Sequence, residues 1–167
     1  MQVKDRVAIV TGGSNGIGAA LCRQLAKENA KAVVVADIDV QGAQTLAREI
    51  GGVALKCDVS QEEEIFKMVQ QTEEECGPVD LFFSNAGIMI QGLLNVSNAD
   101  WQRIWEINVM SHIYAARMVI PKMLERGSGG FIITASAAGL LNQIESTPYT
   151  TTKHAAVGVA DNLAINY

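Results

Sequence analysis

The chain has 167 residues, of which 49% are hydrophobic and 19% are charged. These values are typical of one folded domain with a substantial core, and they exclude a disordered or fibrous protein. A net charge of −5 and a pI near 5.0 argue against a nucleic acid or an anionic membrane as a partner. We therefore predict a single domain over residues 1–167.

The cysteines and histidines give no sign of a metal site or a disulfide framework. Cys22, Cys57 and Cys76 are widely spaced and form no CxxC pair, which is typical of reduced thiols inside the cell. His112 and His154 are the only histidines, so we expect no metal. No run approaches membrane-spanning length and no leader precedes the first strand, so we expect a soluble, cytoplasmic protein.

The first half of the chain alternates short apolar runs with amphipathic stretches. Residues 7–10 (VAIV) and 32–37 (AVVVAD) are rich in β-branched residues, as strands buried on both faces are. Residues 53–59 (VALKCDV) predict a third strand with a weaker pattern. Ser60 and Glu63 have the spacing of a capping box and predict the start of the helix that follows.

The second half continues the alternation. Residues 79–87 (VDLFFSNAG) predict a fourth strand that runs into a turn, and residues 131–137 (FIITASA) predict a fifth. Between them, Ser97 predicts the start of a long helix that reaches about Glu125. The whole pattern predicts an α/β fold, a doubly wound, Rossmann-like parallel sheet of five strands in the order 3-2-1-4-5 with right-handed crossovers.

The last predicted helix carries a tyrosine and a lysine one turn apart. Thr147 followed by Pro148 indicates an N-cap with proline at the first helical position, where its missing N–H costs nothing. Apolar residues then recur at helical spacing to the end of the chain. Tyr149 and Lys153 are therefore neighbours on one face of this helix.

A glycine-rich turn, TGGSNGIG at residues 11–18, lies between the first strand and the first helix. Gly12, Gly16 and Gly18 allow positive φ, close approach of the backbone to a pyrophosphate, and tight helix–strand packing. The free N–H groups and the helix dipole at Ile17 would bind the anion. Such a turn alone is weak evidence, but its position between a strand and a helix favours a dinucleotide site.

An acidic residue, Asp37, ends the second strand about 20 residues after the glycine turn, as in dinucleotide-binding folds. A carboxylate there would accept hydrogen bonds from the ribose hydroxyls and repel a 2′-phosphate. Ile38 and Asn15 beside it offer no positive charge. The sequence therefore favours NAD over NADP, with a simple turn aspartate as the alternative.

Polar residues from distant parts of the chain are predicted to meet at the carboxyl edge of the sheet. Asn85 follows the fourth strand and Ser136 ends the fifth, at the edge where such sheets bind ligands. Asn108 falls on the buried face of the long helix, where an amide needs hydrogen-bond partners and a purely structural role is also open. We expect these residues to lie close to Gly12 and Asp37, at the same carboxyl edge of the sheet.

The pairing of Tyr149 with Lys153 has a chemical rationale. An isolated phenol is about a thousandth ionised at neutral pH. An ammonium group about 4 Å away stabilises a phenolate by roughly 4 kcal/mol at an effective dielectric near 20, which is enough to ionise it near neutrality. Such a tyrosine would serve as general base toward an alcohol and as general acid in the reverse direction.

The complete set of residues resembles the short-chain dehydrogenase/reductase family. The motifs follow the family's order along the whole chain: TGGSNGIG, Asp37, Asp58-Val59, Asn85-Ala86-Gly87, Asn108, Ser136 and Tyr149-x-x-x-Lys153. The resemblance implies an NAD-dependent oxidoreductase that interconverts a secondary alcohol and a ketone by hydride transfer.

The resemblance also implies a role for each residue of the catalytic group. Ser136 would orient the substrate oxygen, and Tyr149 would exchange its proton. Lys153 would bind the nicotinamide ribose and favour the phenolate. Asn108 would hold a water molecule that links Lys153 to solvent.

The cofactor-binding residues implied by the resemblance extend along the whole carboxyl edge. Asp58 would contact the adenine and Val59 the wall beside it, while residues 85–87 would line the central ribose. The full expected set is Gly12, Ser14, Asn15, Gly16, Ile17, Gly18, Asp37, Ile38, Asp58, Val59, Asn85, Ala86, Gly87, Tyr149 and Lys153.

One departure from the family keeps other functions open. Family members continue into two more strands and a substrate-covering loop, whereas this sequence stops at Tyr167. A non-catalytic nucleotide-binding remnant and an interaction module that dimerises through its long helices are therefore alternatives. As an enzyme, it would act on a small molecule and, like its family, form a homo-oligomer. A moderately hydrophobic substrate is suggested by apolar residues in two loops: Met89, Ile90, Leu140, Leu141 and Ile144.

Overall fold

The computed structural model describes residues 2–167, and its helices and strands alternate as predicted. The strands are β1 (Val7–Thr11), β2 (Ala32–Asp37), β3 (Val53–Lys56), β4 (Leu81–Ser84) and β5 (Gly130–Ile133). The helices are α1 (Gly16–Lys27), α2 (Val40–Ile50), α3 (Glu62–Cys76), α4 (Asn98–Trp105), α5 (Ser111–Arg126) and α6 (Thr147–Asn166). A π-helical turn (Glu106–Met110) joins α4 to α5, and a 3₁₀ turn (Ala137–Gly139) precedes α6.

The five strands form one parallel sheet in the order β3-β2-β1-β4-β5, which confirms the predicted topology. Alternate residues of β1 enter two separate cores: Ile9 packs with the cluster that includes α3 and α5, and Ala8 with the cluster that includes α1 and α2. Burial on both faces explains why β1 is continuously apolar. The strand order reverses between β1 and β4, and doubly wound sheets open their ligand crevice at this point.

Three strands are shorter than predicted at their carboxyl ends. β3 ends at Lys56 instead of residue 59, β4 at Ser84 instead of 87, and β5 at Ile133 instead of 137. One residue beyond β3 and β5 the main chain still donates to the neighbouring strand, from the Cys57 N–H to the Asp37 carbonyl and from the Thr134 N–H to the Ser84 carbonyl, both at 3.1 Å. Side chains then take over as partners: the Asp58 N–H donates to Glu64 at 2.8 Å, and directly after β4 the Asn85 N–H donates to the Thr11 hydroxyl at 3.0 Å. The apolar pattern of the sequence does not show where main-chain N–H groups stop bonding to the neighbouring strand and bond to side chains.

The predicted capping box at the start of α3 is wrong. The residue before α3 is Gln61, and the Ser60 hydroxyl instead donates to Asp58 Oδ1 at 2.8 Å. The Ser60 N–H donates to the same oxygen at 3.0 Å, so the segment forms an Asx-turn. Glu64, one position after the predicted Glu63, accepts the Asp58 N–H at 2.8 Å.

The start of α6 also differs from the prediction by one residue. Ser146, not Thr147, precedes the helix, so Pro148 occupies the second helical position. By contrast, the start of α4 is as predicted, because the Ser97 hydroxyl accepts the Asp100 N–H at 3.1 Å. The long helix that begins there is continuous to Arg126, but its π-helical turn was not predicted.

Candidate active site

A cleft of about 750 Å³ opens at the carboxyl ends of the strands and contains every predicted cofactor-binding residue. These residues are Gly12, Ser14, Asn15, Gly16, Ile17, Gly18, Asp37, Ile38, Asp58, Val59, Asn85, Ala86, Gly87, Tyr149 and Lys153. Of the two other predicted site residues, Asn108 is fully buried beside the cleft, and Ser136 does not line it. Residues from four strand ends are thus brought together as the topology requires.

The glycine turn packs tightly against its neighbours at Gly12 and Gly18 but leaves open space beside Gly16. A Cβ on Gly18 would lie 2.0 Å from the Gly12 carbonyl oxygen, and one on Gly12 would lie 2.9 Å from the Ala86 Cα. Gly16 has a φ of +51° and would meet nothing within 4 Å, so its backbone faces open space. The Asn15 side chain accepts the Gly16 N–H at 2.6 Å and caps α1. The turn therefore presents backbone and a helix N-terminus to the cleft, as an anion site does.

The Asp37 carboxylate is held in place at the end of β2. Its Oδ2 accepts the Ser14 N–H at 3.0 Å and the Ser14 hydroxyl at 2.7 Å, and its Oδ1 accepts the Asp39 N–H at 3.0 Å. These bonds attach the carboxylate to the glycine turn. Ser14 was predicted only as a cofactor contact, and its bond to Asp37 was not predicted.

Asn85 ties together the edges of three strands. Its Nδ2 donates to the Thr11 carbonyl at 2.9 Å, and its Oδ1 accepts the Thr134 hydroxyl at 3.0 Å. The main-chain N–H of Asn85 donates to the Thr11 hydroxyl at 3.0 Å. Sequence reasoning missed both threonines, because small hydroxyl residues are common at strand ends and carry no distinctive pattern.

Asn108 lies in the π-helical turn and is completely buried. Its Oδ1 accepts the Ile88 N–H at 2.8 Å, and its Nδ2 donates to the Ile88 carbonyl at 2.9 Å and to the Thr152 hydroxyl at 3.1 Å. The amide thus fixes both the chain after β4 and helix α6. Whether it also holds a water molecule for Lys153 stays a prediction.

The tyrosine and the lysine share the inner end of the cleft. Lys153 Nζ lies 5.7 Å from the centre of the Tyr149 ring and donates a hydrogen bond to the Thr134 carbonyl at 3.0 Å. Only 3% of Lys153 is exposed, and this burial lowers the pKa of its ammonium group. A Cβ on Gly87 would lie 3.4 Å from Nζ, so the absence of a side chain there leaves room beside the ammonium. The ammonium group and the phenol ring thus lie close together in the cleft.

Ser136 precedes the 3₁₀ turn between β5 and α6. Its hydroxyl accepts the Ala138 N–H at 3.1 Å and caps this turn. The turn packs directly on α6, since a Cβ on Gly139 would lie 2.6 Å from the Lys153 carbonyl oxygen. Ser136 is thus held next to the tyrosine helix without being part of the cleft wall.

A buried histidine lies behind the site. A hydrogen bond of 2.6 Å joins His112 Nδ1 to the hydroxyl of Ser84, the residue immediately before Asn85. Nε2 has no hydrogen-bond partner within residues 2–167. Burial, followed by the charge of Lys153, lowers the pKa of His112 to about 4, so the ring is neutral near neutral pH. The sequence pattern contains no sign of this unpartnered nitrogen.

The remaining titratable groups near the cleft offer no second chemistry. Cys57 lines the cleft, but burial raises the pKa of its thiol to about 12, so it is not a thiolate near neutrality. Over residues 2–167, no three His, Cys, Asp or Glu side chains are grouped to hold a metal ion. Across the same stretch, no helix has the length and apolar character needed to cross a membrane.

The comparisons with known proteins agree with this architecture. The family model for the short chain dehydrogenase matches residues 6–167, and the chain therefore belongs to that family. It is 33% identical over 165 residues to (+)-cis,cis-nepetalactol synthase NEPS3 of Nepeta racemosa, covering 95% of this chain and 61% of the relative. It is 32% identical over 171 residues to 3beta-hydroxysteroid dehydrogenase 2 of Eggerthella lenta, covering 97% and 65% respectively.

A solved structure shows the same fold over the complete chain. The crystal structure of a short chain dehydrogenase/reductase from Burkholderia phymatum in complex with NAD superposes with a TM-score of 0.96 at 28% identity. The match covers 100% of this chain and 62% of that one. The chain thus spans somewhat less than two thirds of the length of these relatives.

Proposed function

We propose that the protein is an NAD-dependent oxidoreductase that interconverts a secondary alcohol and a ketone, with Tyr149 as general acid and base. The observation that carries the proposal is that Tyr149 and Lys153 open onto the same cleft as the glycine turn and Asp37. A proton-transfer group and a dinucleotide site then share one space. One relative is named as a hydroxysteroid dehydrogenase, and the crystal structure of another contains NAD. Both support the same class of reaction.

The residues present fit a dinucleotide. The glycine turn leaves the backbone of Gly16 open and would hold the pyrophosphate at the N-terminus of α1. Asp37 would accept the adenosine ribose hydroxyls, Asp58 would contact the adenine, and Asn85 would face the central ribose. When bound, NAD supplies the carbon that accepts or returns the hydride.

The chain's own residues manage the proton and the substrate oxygen. In the oxidising direction, the Tyr149 phenolate takes the hydroxyl proton while the hydride leaves the carbinol carbon, and in the reducing direction the phenol returns it. The Lys153 ammonium lies 5.7 Å from the centre of the phenol ring and would bind the nicotinamide ribose. Ser136 would orient the substrate oxygen, which requires its hydroxyl to turn toward the cleft.

The preference for NAD over NADP belongs to the same proposal. Asp37 already binds Ser14 and the Asp39 N–H through both oxygens, so it stays where a 2′-phosphate would lie. Asp39 and Asp58 also line the cleft and add negative charge. An extra phosphate would be repelled by this group of carboxylates.

The test is a pair of substitutions in the complete protein. We expect Tyr149→Phe to lower kcat by about 10³-fold, since general acid–base catalysis contributes about 10²–10⁴-fold, while the dissociation constant for NADH stays within about twofold. Lys153→Ala should impair both turnover and NADH binding. Tyr114→Phe is the matched control, because it removes a hydroxyl that hydrogen-bonds only to Glu106, at 3.0 Å, and does not line the cleft. Secondary alcohols such as cyclohexanol and menthol serve as probes, with NADH fluorescence for binding.

The outcomes separate the proposal from its alternatives. Near-normal turnover in Tyr149→Phe would show that the tyrosine mechanism is wrong. A wild-type protein that binds NADH tightly and oxidises none of the alcohols would favour the nucleotide-binding remnant. A protein that binds no NADH would favour the interaction module.

A further inference from the structure

Residues 88–92, which follow β4, connect the buried amide of Asn108 to the start of α6, and we call them the 88–92 strap. At one end, Asn108 holds both main-chain groups of Ile88, at 2.8 and 2.9 Å. Further along, the Ile90 carbonyl accepts the Ser146 hydroxyl at 2.6 Å. The strap therefore joins the π-helical turn to the helix that carries Tyr149.

Two main-chain hydrogen bonds complete the link to α6. The Gly92 N–H donates to the Glu145 carbonyl at 2.8 Å, and the Gly92 carbonyl accepts the Thr147 N–H at 3.1 Å. Gly92 and Ser146 thus form an isolated parallel bridge. Thr147 is the first residue of α6, and N–H groups in a first turn have no partner within their own helix. The strap supplies that partner.

The backbone adopts unusual conformations on both sides of this bridge. Glu145 has a φ of +63°, which is unfavourable for a residue other than glycine. Gly92 has a φ of +127°, and a Cβ there would lie 2.5 Å from Val96 Cγ2. Glycine adopts a positive φ without strain, whereas the surrounding contacts must stabilise the conformation of Glu145. Such retained strain points to a constraint on the position of the bridge.

The Ser146 side chain does not act as a helix cap. A serine before a helix ordinarily accepts an N–H from the first turn, but Ser146 makes no such bond. Its hydroxyl instead donates to Ile90, and only 1% of the residue is exposed. The helix start is therefore fixed by the strap and not by its own cap.

We propose that Ser146 is a positioning residue that, through the 88–92 strap, sets the place of the first turn of α6 and hence of the Tyr149 phenol. Thr152, bonded to Asn108 at 3.1 Å, fixes the same helix on the other side of Tyr149. The tyrosine therefore lies between two anchors that both lead back to Asn108. This inference rests on the proposed function, because it concerns the alignment of Tyr149 with the cofactor.

The experiment compares Ser146→Ala with wild type in the complete protein. Active sites are counted by NADH titration, and hydride transfer from cyclohexanol or menthol is measured per site. We expect the rate per site to fall about 10- to 100-fold, as a misplacement of the order of 1 Å does, while NADH stoichiometry and affinity stay within about twofold. Thr151→Ala is the matched control and should leave the rate unchanged. It removes an exposed hydroxyl of the same helix that bonds only to the Thr147 carbonyl, at 2.9 Å.

A second pair of variants covers the case in which Ser146→Ala does not fold. Thr and Val have nearly the same shape and differ in the hydroxyl, so Ser146→Thr should transfer hydride faster per site than Ser146→Val. A loss of active sites with an unchanged rate per site would overturn the proposal, since it would show a structural role only. Equal rates per site in the Thr and Val variants would overturn it as well.

A readout without catalysis separates this inference from the proposed function. If the wild-type protein oxidises none of the alcohols, the proposed function fails, and the strap is judged by amide hydrogen exchange over residues 146–152. Faster exchange in Ser146→Ala but not in Thr151→Ala would support the strap as the anchor of this helix. Unchanged exchange in Ser146→Ala would overturn it.

Discussion

At the level of single residues, Asp37 has an observed structural role and a proposed role in cofactor choice. Its carboxylate accepts two hydrogen bonds from Ser14 and one from the Asp39 N–H, so it is fixed against the glycine turn. A carboxylate that is already held loses little freedom when a ribose binds. The same fixed charge would repel a 2′-phosphate, which a mobile side chain could avoid.

This gives a prediction for cofactor choice. Asp37→Asn keeps the shape of the side chain but removes its charge, and it should reduce the preference for NAD over NADP by about tenfold. Two unit charges about 6 Å apart repel by roughly 1 kcal/mol or more near a protein surface, which accounts for this size. Fluorescence titrations with NADH and NADPH measure the ratio. Asp161→Asn, an exposed site on α6, is the control. An unchanged ratio in Asp37→Asn would contradict the assignment.

Residues could be predicted from the sequence where their position restricts the residue type or their spacing fixes their proximity. Gly18 has no alternative, because a Cβ would lie 2.0 Å from a carbonyl oxygen, and a tyrosine and a lysine four residues apart are neighbours on any helix. Ser146, Thr11 and Thr134 were missed for the opposite reason. The hydroxyls of Ser146 and Thr11 bond to main-chain groups and that of Thr134 to the Asn85 side chain, all distant in sequence, and such partners exist only once the sheet has formed.

At the level of elements, the π-helical turn between α4 and α5 places Asn108 where it can bond to two other segments. The periodicity of the long helix predicted that Asn108 is buried, which is confirmed, but a regular helical pattern contains no sign of the extra residue in the turn. Strand ends were mispredicted for a related reason. The predicted strands continue past Lys56 and Ile133, whereas only one more N–H after each, from Cys57 and Thr134, donates to the neighbouring strand, and the Asp58 N–H already donates to the Glu64 side chain.

This turn leads to a stability prediction. Asn108→Ala would leave the Ile88 N–H and carbonyl without their partner in a buried place, while the Thr152 hydroxyl would keep only its bond to the Tyr149 carbonyl at 3.0 Å. Unsatisfied buried polar groups cost about 1–3 kcal/mol each, so we expect a loss of about 2 kcal/mol or more in the free energy of unfolding. Urea denaturation followed by tryptophan fluorescence measures it. Asn162→Ala, on the exposed side of α6, should change stability by less than about 0.5 kcal/mol. A similarly small effect in Asn108→Ala would show that water replaces the amide.

At the level of the whole molecule, the alternation of strands and helices predicted a doubly wound parallel sheet. Right-handed crossovers leave a few strand orders for such a sheet, and the glycine turn after β1 favours the Rossmann-like order 3-2-1-4-5, which the structure has. The shape of the substrate region did not follow in this way. Of the five apolar residues predicted to contact the substrate, Met89 lines the cleft, whereas Leu140, Leu141 and Ile144 are 68–82% exposed and lie outside it.

The unpaired edge of strand β5 makes residues 1–167, as an isolated polypeptide, prone to associate with other copies. Within residues 2–167, β5 pairs only with β4, so its other edge has free main-chain groups. Beside it, an apolar groove of about 670 Å³ is lined by Phe131 and Ile133 of β5, Met123 of α5 and Leu163 of α6. An unpaired apolar edge is a template for pairing with another chain. We therefore expect this polypeptide, expressed alone, to self-associate or dissolve poorly and to show no dehydrogenase activity.

Light scattering after size-exclusion chromatography measures the association, and oxidation of cyclohexanol with NAD measures the activity. Ile132→Lys places a charge on the β5 edge and should shift the polypeptide toward monomer, because lysine on an edge strand opposes pairing. Ile165→Lys makes the same change on α6 outside the groove and should not. If association through β5 is the cause, only the first substitution acts. A wild-type polypeptide that is a stable monomer, or one that turns over substrate, would show that the open edge and groove matter less than their apolar character suggests.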